Sequence, residues 1–219
     1  DIRFFMHDVV AKLVSIQKEI QQKNNTTNVI AVSKTFPIEQ IMPLINHGHK
    51  DFGENKIQEA IKKWSSIKED FVDINLHMVG KIQSNKVKFI FPLFDYIHSL
   101  DNLKLAEKLS NEQKKYKKNI KIFIQVNIGD EPQKAGIRPN DVETFKNKCL
   151  DDLNLNIIGL MCLPPKNKEA AIYFKEMSQL LTKTGLNELS MGMSNDYLQA
   201  VSHESSFVRI GSKIFGNRS

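Results

Sequence analysis

Between Asp1 and Gln22 the apolar residues Phe5, Val9, Leu13 and Ile16 recur three or four positions apart, as on one face of an α-helix, and Asn24 to Asn28 break the pattern. Short apolar runs then alternate with longer amphipathic stretches. The runs 29–32, 51–52, 76–79, 96–98, 122–128, 157–161, 188–190 and 207–210 read as strands. The stretches 37–45, 57–67, 84–91, 103–116, 141–150, 168–184 and 197–202 between them read as helices.

Strand followed by helix, repeated through about eight units, implies a mostly parallel sheet in an α/β fold. That number of units favours a closed (β/α)8 TIM barrel preceded by an N-terminal helix over an open doubly wound sheet. No linker or internal repeat divides the chain, so residues 1–219 are expected to form one domain.

Composition adds limits. With 219 residues, 41% hydrophobic and 26% charged, one core can form without disulfides or metal. The net charge of +6 is spread along the chain. Its densest run, Lys114-Lys115-Tyr116-Lys117-Lys118, falls at a helix end, where cations complement the dipole and stay hydrated, so it reads as a solvated terminus and not as a nucleic-acid site. Trp64 and the phenylalanines fall at core positions rather than on a stacking platform. Cys149 and Cys162 show neither metal spacing nor a disulfide framework, which fits free thiols in a reducing cytoplasm. No apolar stretch approaches the ~20 residues that span a bilayer, and no leader pattern opens the chain. A soluble protein is expected, and the absence of an initiating Met suggests a trimmed N-terminus.

A barrel places its chemistry at the C-terminal ends of the strands. The first strand ends in Val32-Ser33-Lys34-Thr35. A lysine turned into the barrel mouth would lose hydration, which favours the neutral amine that attacks aldehydes; equally, Lys34 could reach solvent or pair with a carboxylate such as Glu54. After the seventh strand, Ser194 or Asn195 could cap the following helix and turn its free N–H groups toward an anion; after the eighth, Arg209 is followed by Gly211 and Ser212. Each of these could be ordinary: a helix cap, or a strand end with a surface arginine. Closure of the ring would bring strand eight beside strand one, so that Lys34 and these loops suit a molecule carrying an aldehyde and a phosphate.

Other polar residues are read more plainly. His47-Gly48-His49 has a metal-like spacing but falls on the N-terminal side of a strand, as a helix-ending turn. His77 and His98 lie in or at the end of strands as core or supporting residues, and Glu54 and Asp130 share no spacing rule.

The ordered motifs Ala31-Val32-Ser33-Lys34-Thr35, Phe52-Gly53-Glu54-Asn55, His77-Met78-Val79-Gly80, Gln83-Ser84-Asn85-Lys86, Gln125-Val126-Asn127-Ile128, Lys134-Ala135-Gly136, Gly159-Leu160-Met161, Met191-Gly192-Met193-Ser194 and Val208-Arg209-Ile210-Gly211 resemble the pyridoxal phosphate homeostasis protein family. Its members are single-domain relatives of the alanine racemase barrel. The resemblance implies pyridoxal 5'-phosphate held as a Schiff base on Lys34. It also implies phosphate contacts from Ser194 and the backbone of Gly211 and Ser212, Arg209 near the pyridine nitrogen, and Asn55 lining the site. Ser212 stands where the family commonly has Thr, and Met78 where it has a bulkier residue; the hydroxyl and the apolar volume are kept.

An arginine facing the ring nitrogen discourages its protonation and weakens the ring as an electron sink. Racemisation needs acid/base groups on both faces of the substrate carbon. Lys34 could serve one; the β-rich domain that supplies a tyrosine in the two-domain racemases is expected to be missing, and Tyr96, nearest to a strand end, is not placed over the ring. The resemblance thus implies a monomeric, non-catalytic carrier or buffer of the cofactor that supplies apo-enzymes. A weak amino-acid racemase and a barrel for another phosphorylated metabolite are the alternatives.

Overall fold

The computed structural model describes residues 6–24 and 26–217. Strands β1 (Asn28–Val32), β2 (Asp51–Glu54), β3 (Asn75–Met78), β4 (Tyr96–Leu100), β5 (Lys121–Val126), β6 (Ile157–Cys162), β7 (Glu188–Ser190) and β8 (Phe207–Ile210) pair in sequence order, all parallel, and close into a barrel. The seam is β1 on β8, from Asn28 opposite Phe207 to Ala31 opposite Ile210.

Helices α1 (Asp8–Gln21), α2 (Ile38–Asn46), α3 (Ile57–Asp70), α4 (Leu103–Tyr116), α5 (Val142–Asn147), α6 (Ala170–Thr184), α7 (Tyr197–Ser202) and α8 (Ser212–Phe215) surround it. The expected barrel and leading helix are both present. Of the apolar stripe that predicts α1, Val9, Leu13 and Ile16 are buried, while Phe5 lies outside the described residues. This helix packs beside α2, α7 and α8, next to the seam, and the Tyr197 hydroxyl donates to Glu19 Oε2 at 2.5 Å.

Two expected helices differ. Residues 84–91 form a tighter 3-10 helix, Ser84–Phe89, and 141–150 resolve into a 3-10 turn (Pro139–Asp141), α5 and a π-helical turn (Lys148–Asp152). The short α8 was not foreshadowed by any apolar period, because four residues cannot display one.

Strand alternation sorts the core into two clusters. Val29 and Ala31 face the helices, while Ile30 and Val32 join Tyr96, Phe123, Met161 and Phe207 inside the barrel. Continued past the strand, the same parity sends Lys34 toward the barrel mouth, and in β8 it sends Arg209 inward after Phe207.

Gly48, at φ +95°, ends α2, and the N–H groups of Gly48 and His49 return to the carbonyls of Ile45 and Leu44. The His47-Gly48-His49 segment is therefore the helix-ending turn expected, and among the described residues no cluster of His, Cys, Asp and Glu is arranged to hold a metal ion. Trp64 is fully buried against Phe52. Among the described residues no helix is long and apolar enough to cross a membrane.

Candidate functional site

A cavity of about 1290 Å³ opens at the C-terminal ends of the strands, and Lys34, Asn55, Ser194, Arg209, Gly211 and Ser212 all line it. Six positions spread over most of the sequence thus meet in one hollow because each follows or ends a strand.

Lys34 sits on a braced turn. Ser33 N–H extends the β1–β2 ladder to the Gly53 carbonyl at 2.9 Å, and its hydroxyl donates to Glu54 Oε1 at 2.8 Å. The same carboxylate oxygen accepts from Lys63 Nζ at 2.8 Å and Trp64 Nε1 at 2.9 Å. Lys63 also donates to the Ser33 carbonyl at 2.8 Å and to Glu59 Oε1 at 3.2 Å, and Glu59 accepts the Thr35 N–H at 2.5 Å. Thr35 has φ +68°, a left-handed conformation unfavourable for a β-branched residue, so these bonds hold a strained turn on both sides of Lys34. Glu54 is thus engaged with Lys63, and the Lys34 side chain lines the cavity. Asp130 belongs elsewhere, 3.6 Å from Arg138 on the surface.

Across the seam, a side chain at Gly211 would bring its Cβ within 3.4 Å of the Val32 carbonyl oxygen, which shows how near the β8 end comes to the β1 end. Ser194 takes a different part from the expected one. Neither it nor Asn195 caps α7: Asp196 occupies the cap position, with its Oδ1 accepting from Met193 N–H at 2.7 Å. Ser194 Oγ instead accepts from Lys213 N–H at 3.3 Å and from the Ser212 hydroxyl at 3.2 Å, capping the start of α8. The loops after β7 and β8 are joined there.

Arg209 is 5% exposed, donates from Nη1 to Ser190 Oγ at 2.6 Å and from Nη2 to the Cys162 carbonyl at 2.9 Å, and keeps a face in the cavity. Burial lowers its pKa, yet a guanidinium stays charged throughout the physiological range. Lys34, Lys81, Lys166, Lys168 and Arg209 line the cavity against Glu169 and Asp196, a balance suited to an anionic ligand.

Behind Arg209 lies a polar file that no local spacing announced. Ser190 Oγ is 2.7 Å from His98 Nδ1, His98 Nε2 is 2.9 Å from His77 Nδ1, and His77 Nε2 is 2.8 Å from Asp51 Oδ1. The two histidines are buried supporting residues, as expected, stacked on Tyr96 and Phe123. Tyr96 opens β4 at the end of the barrel opposite the cavity, with its hydroxyl accepting from Lys121 at 3.2 Å.

Burial pushes His49, His77 and His98 below the ordinary value of 6.5, for His98 well below, with Arg209 and His77 adding to the effect. The unfolded chain binds protons on these rings below that pH, whereas the native chain binds them only at lower pH. Stability should therefore be full above pH 6.5 and fall below it, by up to about 1.4 kcal/mol per pH unit for each ring. Denaturant melts at pH 7.5 and pH 5.5 read this, and equal midpoints would mean that the native rings are charged.

Burial pushes both thiols, Cys149 and Cys162, up to about 12. Only thiolate reacts with alkylating reagents. Iodoacetamide at neutral pH is expected to leave the native chain unmodified and to add two carbamidomethyl groups once the chain is unfolded; rapid native labelling would contradict this burial.

Comparison with known proteins agrees with this architecture. Residues 11–219 match the family model of the alanine racemase N-terminal domain. The pyridoxal phosphate homeostasis protein of Pasteurella multocida is 34% identical over 217 residues, covering 93% of each chain, and that of Haemophilus influenzae is 32% identical over 100% of this chain and 96% of the relative. The structure of PipY from Synechococcus elongatus with pyridoxal phosphate bound superposes with a TM-score of 0.85 at 32% identity, covering 95% of this chain and 100% of that one. An alanine racemase from Clostridium difficile shares the fold at 14% identity and a TM-score of 0.74, with 57% of its length covered. The chain belongs to the pyridoxal phosphate homeostasis protein family, built on the barrel of the alanine racemase N-terminal domain.

Proposed function

We propose that this chain binds pyridoxal 5'-phosphate through a Schiff base on Lys34 and acts as a carrier or buffer of the cofactor, as one domain and one copy, without efficient amino-acid turnover. The observation that carries the reading is the meeting of Lys34, Arg209, Ser194, Gly211 and Ser212 in one cationic cavity across the β1–β8 seam. The residues suit the ligand part by part. An amine meets the aldehyde, and hydroxyl and backbone donors after β7 and β8 meet the phosphate. Asn55 lines the same wall, and a guanidinium that only donates hydrogen bonds meets the pyridine nitrogen as an acceptor.

The bound cofactor supplies an aldehyde and an electron-withdrawing ring, and Arg209 keeps that ring a weak carbanion stabiliser by leaving its nitrogen unprotonated. Among the described residues no tyrosine, histidine or cysteine lines the cavity, and Tyr96 lies at the other end of the barrel. Lysines and carboxylates do line it, so the choice between a carrier and a racemase, which needs a second acid/base group poised over the substrate carbon, is decided by the turnover assay below. The cavity opens at the C-terminal ends of the strands, the side from which a bound molecule could pass to cytoplasmic apo-enzymes.

The test is spectroscopic. Wild-type protein incubated with pyridoxal phosphate should show the visible band of a Schiff base, and Lys34→Ala should lose it; an unchanged band would remove Lys34 from its role. Borohydride reduction should leave a pyridoxyl group on Lys34, and its absence would favour another phosphorylated ligand. Steady conversion of L-alanine or another amino acid to its enantiomer would overturn the carrier reading in favour of a weak racemase.

A further inference from the structure

The polar file behind Arg209 crosses the barrel from the cavity to its opposite end. Arg209 belongs to β8, Ser190 to β7, His98 to β4, His77 to β3 and Asp51 to β2. Ser190, His77 and His98 have no exposed surface, and Asp51 is anchored by Asn75 Nδ2 at 3.2 Å. The file ends in a cation at the cavity and a carboxylate at the far side.

Those two ends fix the direction of every bond between them. A guanidinium has only donors, so Ser190 Oγ accepts from Arg209. Burial alone would raise the Asp51 carboxyl, but the hydrogen bond from His77, the electrostatic influence of His77 and His49, and the hydrogen bond from Asn75 together hold it below the usual carboxylate range. An ionised Asp51 can only accept, so His77 carries its proton on Nε2. Both rings are neutral, since burial disfavours the imidazolium. His77 Nδ1 is then bare and accepts from His98 Nε2–H, and His98 Nδ1 is bare and accepts from the Ser190 hydroxyl. With Asp51 ionised and both rings neutral, no other assignment satisfies all four bonds; an imidazolium at His77 would reverse the two bonds between it and Ser190.

The file cannot deliver protons to the cavity, because it ends on a group that cannot accept one. Its remaining effect is electrostatic and positional. Among the described residues no ion pair joins Arg209 to a carboxylate, and Asp196 acts on it only across the cavity wall. Besides Asp51, the charges acting on His77 are Asp95 and Lys68, which pair with each other at 2.5 Å; the titratable groups facing His98 are the His77 ring and the Arg209 guanidinium.

We propose that Asp51 is a positioning residue for Arg209: through His77, His98 and Ser190 it supplies the negative end of a chain of aligned hydrogen bonds that holds the guanidinium in place at the cavity. Aligned bonds polarise one another, so a carboxylate at one end stabilises a cation at the other although they do not touch. The consequence for a ligand rests on the reading that Arg209 meets the pyridine nitrogen. The consequence for the histidines does not.

Nitrogen-15 NMR of the imidazole rings, in protein without added ligand, should show His77 and His98 neutral at pH 7, both as the Nε2–H tautomer. His98 found as the Nδ1–H tautomer, or as imidazolium, would overturn the relay. Asp51→Asn keeps the shape but can present a donor or an acceptor to His77. It should turn the single His98 tautomer into a mixture, and weaken pyridoxal phosphate binding about fivefold with the Schiff-base band displaced, while Asp51→Glu restores both. A merely structural Asp51 would leave the His98 signal and the band unchanged in Asp51→Asn, which would overturn the proposal. Protein that takes up no pyridoxal phosphate would sink the carrier reading, and the wild-type tautomers would still decide the relay, as they would if the Asn variant failed to fold.

Discussion

Replacing Glu54 by alanine is expected to destabilise the protein by about 3–5 kcal/mol, the cost of removing one partner from a buried ion pair. Glu54 is fully buried, and Lys63 is 8% exposed at its side chain, so the ammonium would lose its nearest carboxylate with little water to replace it. Glu59, at 3.2 Å and 27% exposed, compensates only in part. The loss would also leave Trp64 Nε1 without its acceptor and the Ser33 hydroxyl with only a long bond to the Gly53 carbonyl at 3.4 Å. For a chain of this size each kcal/mol shifts the melting temperature by about 2–4 °C, so a fall of about 6–20 °C is expected. The functional effect should be larger than the fall in stability suggests. The cluster braces both neighbours of Lys34, including the left-handed Thr35, so uptake of pyridoxal phosphate should weaken even at temperatures where the variant remains folded. Glu54→Gln separates charge from hydrogen bonding: it keeps an acceptor for Ser33 and Trp64 and removes the negative charge. It should fall between wild type and Glu54→Ala in thermal melts. Melting temperatures for both variants within a degree or two of wild type would refute the bracing role.

What could be read in advance follows from which constraints are local. The direction of Lys34 is a property of one strand and was legible once a barrel was inferred; that of Arg209, which could equally have been a surface residue at a strand end, came from the family resemblance, and the parity of Phe207 and Arg209 in the folded strand accounts for it. Closure of the barrel could be argued from the count of β/α units, which placed the β8 loop beside β1. The braces were not legible. Ser33, Glu54 and Lys63 meet only because β1, β2 and α3 are neighbours, and no spacing rule links a serine to a carboxylate 21 residues away. The relay is more distant still: His98 and Ser190 are 92 residues apart and come from strands on different sides of the barrel.

The expectation that Ser194 or Asn195 caps the helix after β7 failed for a different reason. Ser194-Asn195-Asp196 offers three side chains of the type that cap helices, and sequence alone does not choose among them. The fold chooses, by bending the chain so that Asp196 reaches back to Met193 while Ser194 faces the start of α8. The outcome strengthens the site. A serine spent on α7 would have tied the β7 loop to its own helix, whereas the observed bond ties it to the loop after β8, the other half of the proposed phosphate cradle.

That junction depends on Gly192, and Gly192→Ala is expected to cost about 2–5 kcal/mol. The backbone there has φ +98°, where an L side chain costs roughly 1–2 kcal/mol. An added Cβ would lie 2.6 Å from Ala200 Cβ and 3.1 Å from Tyr197 Cα, and crowding of that kind in a packed region adds about 1–3 kcal/mol. The methyl cannot be absorbed by a flexible side-chain tip, because its two nearest neighbours are the first carbon of an alanine and a backbone atom of α7, with the branched Val208 at 3.2 Å behind them. Relief must come from moving the loop itself. Its Gly192 carbonyl accepts the Arg209 N–H at 2.8 Å, so displacement would disturb the registry between the segment that carries Ser194 and the strand that carries Arg209. The variant should therefore bind pyridoxal phosphate more weakly by at least tenfold, with the deficit persisting when the phosphate-free aldehyde is used if Arg209 has moved, and vanishing if only Ser194 has. Equal affinity of wild type and Gly192→Ala for both ligands would show that neither half of the cradle depends on this turn.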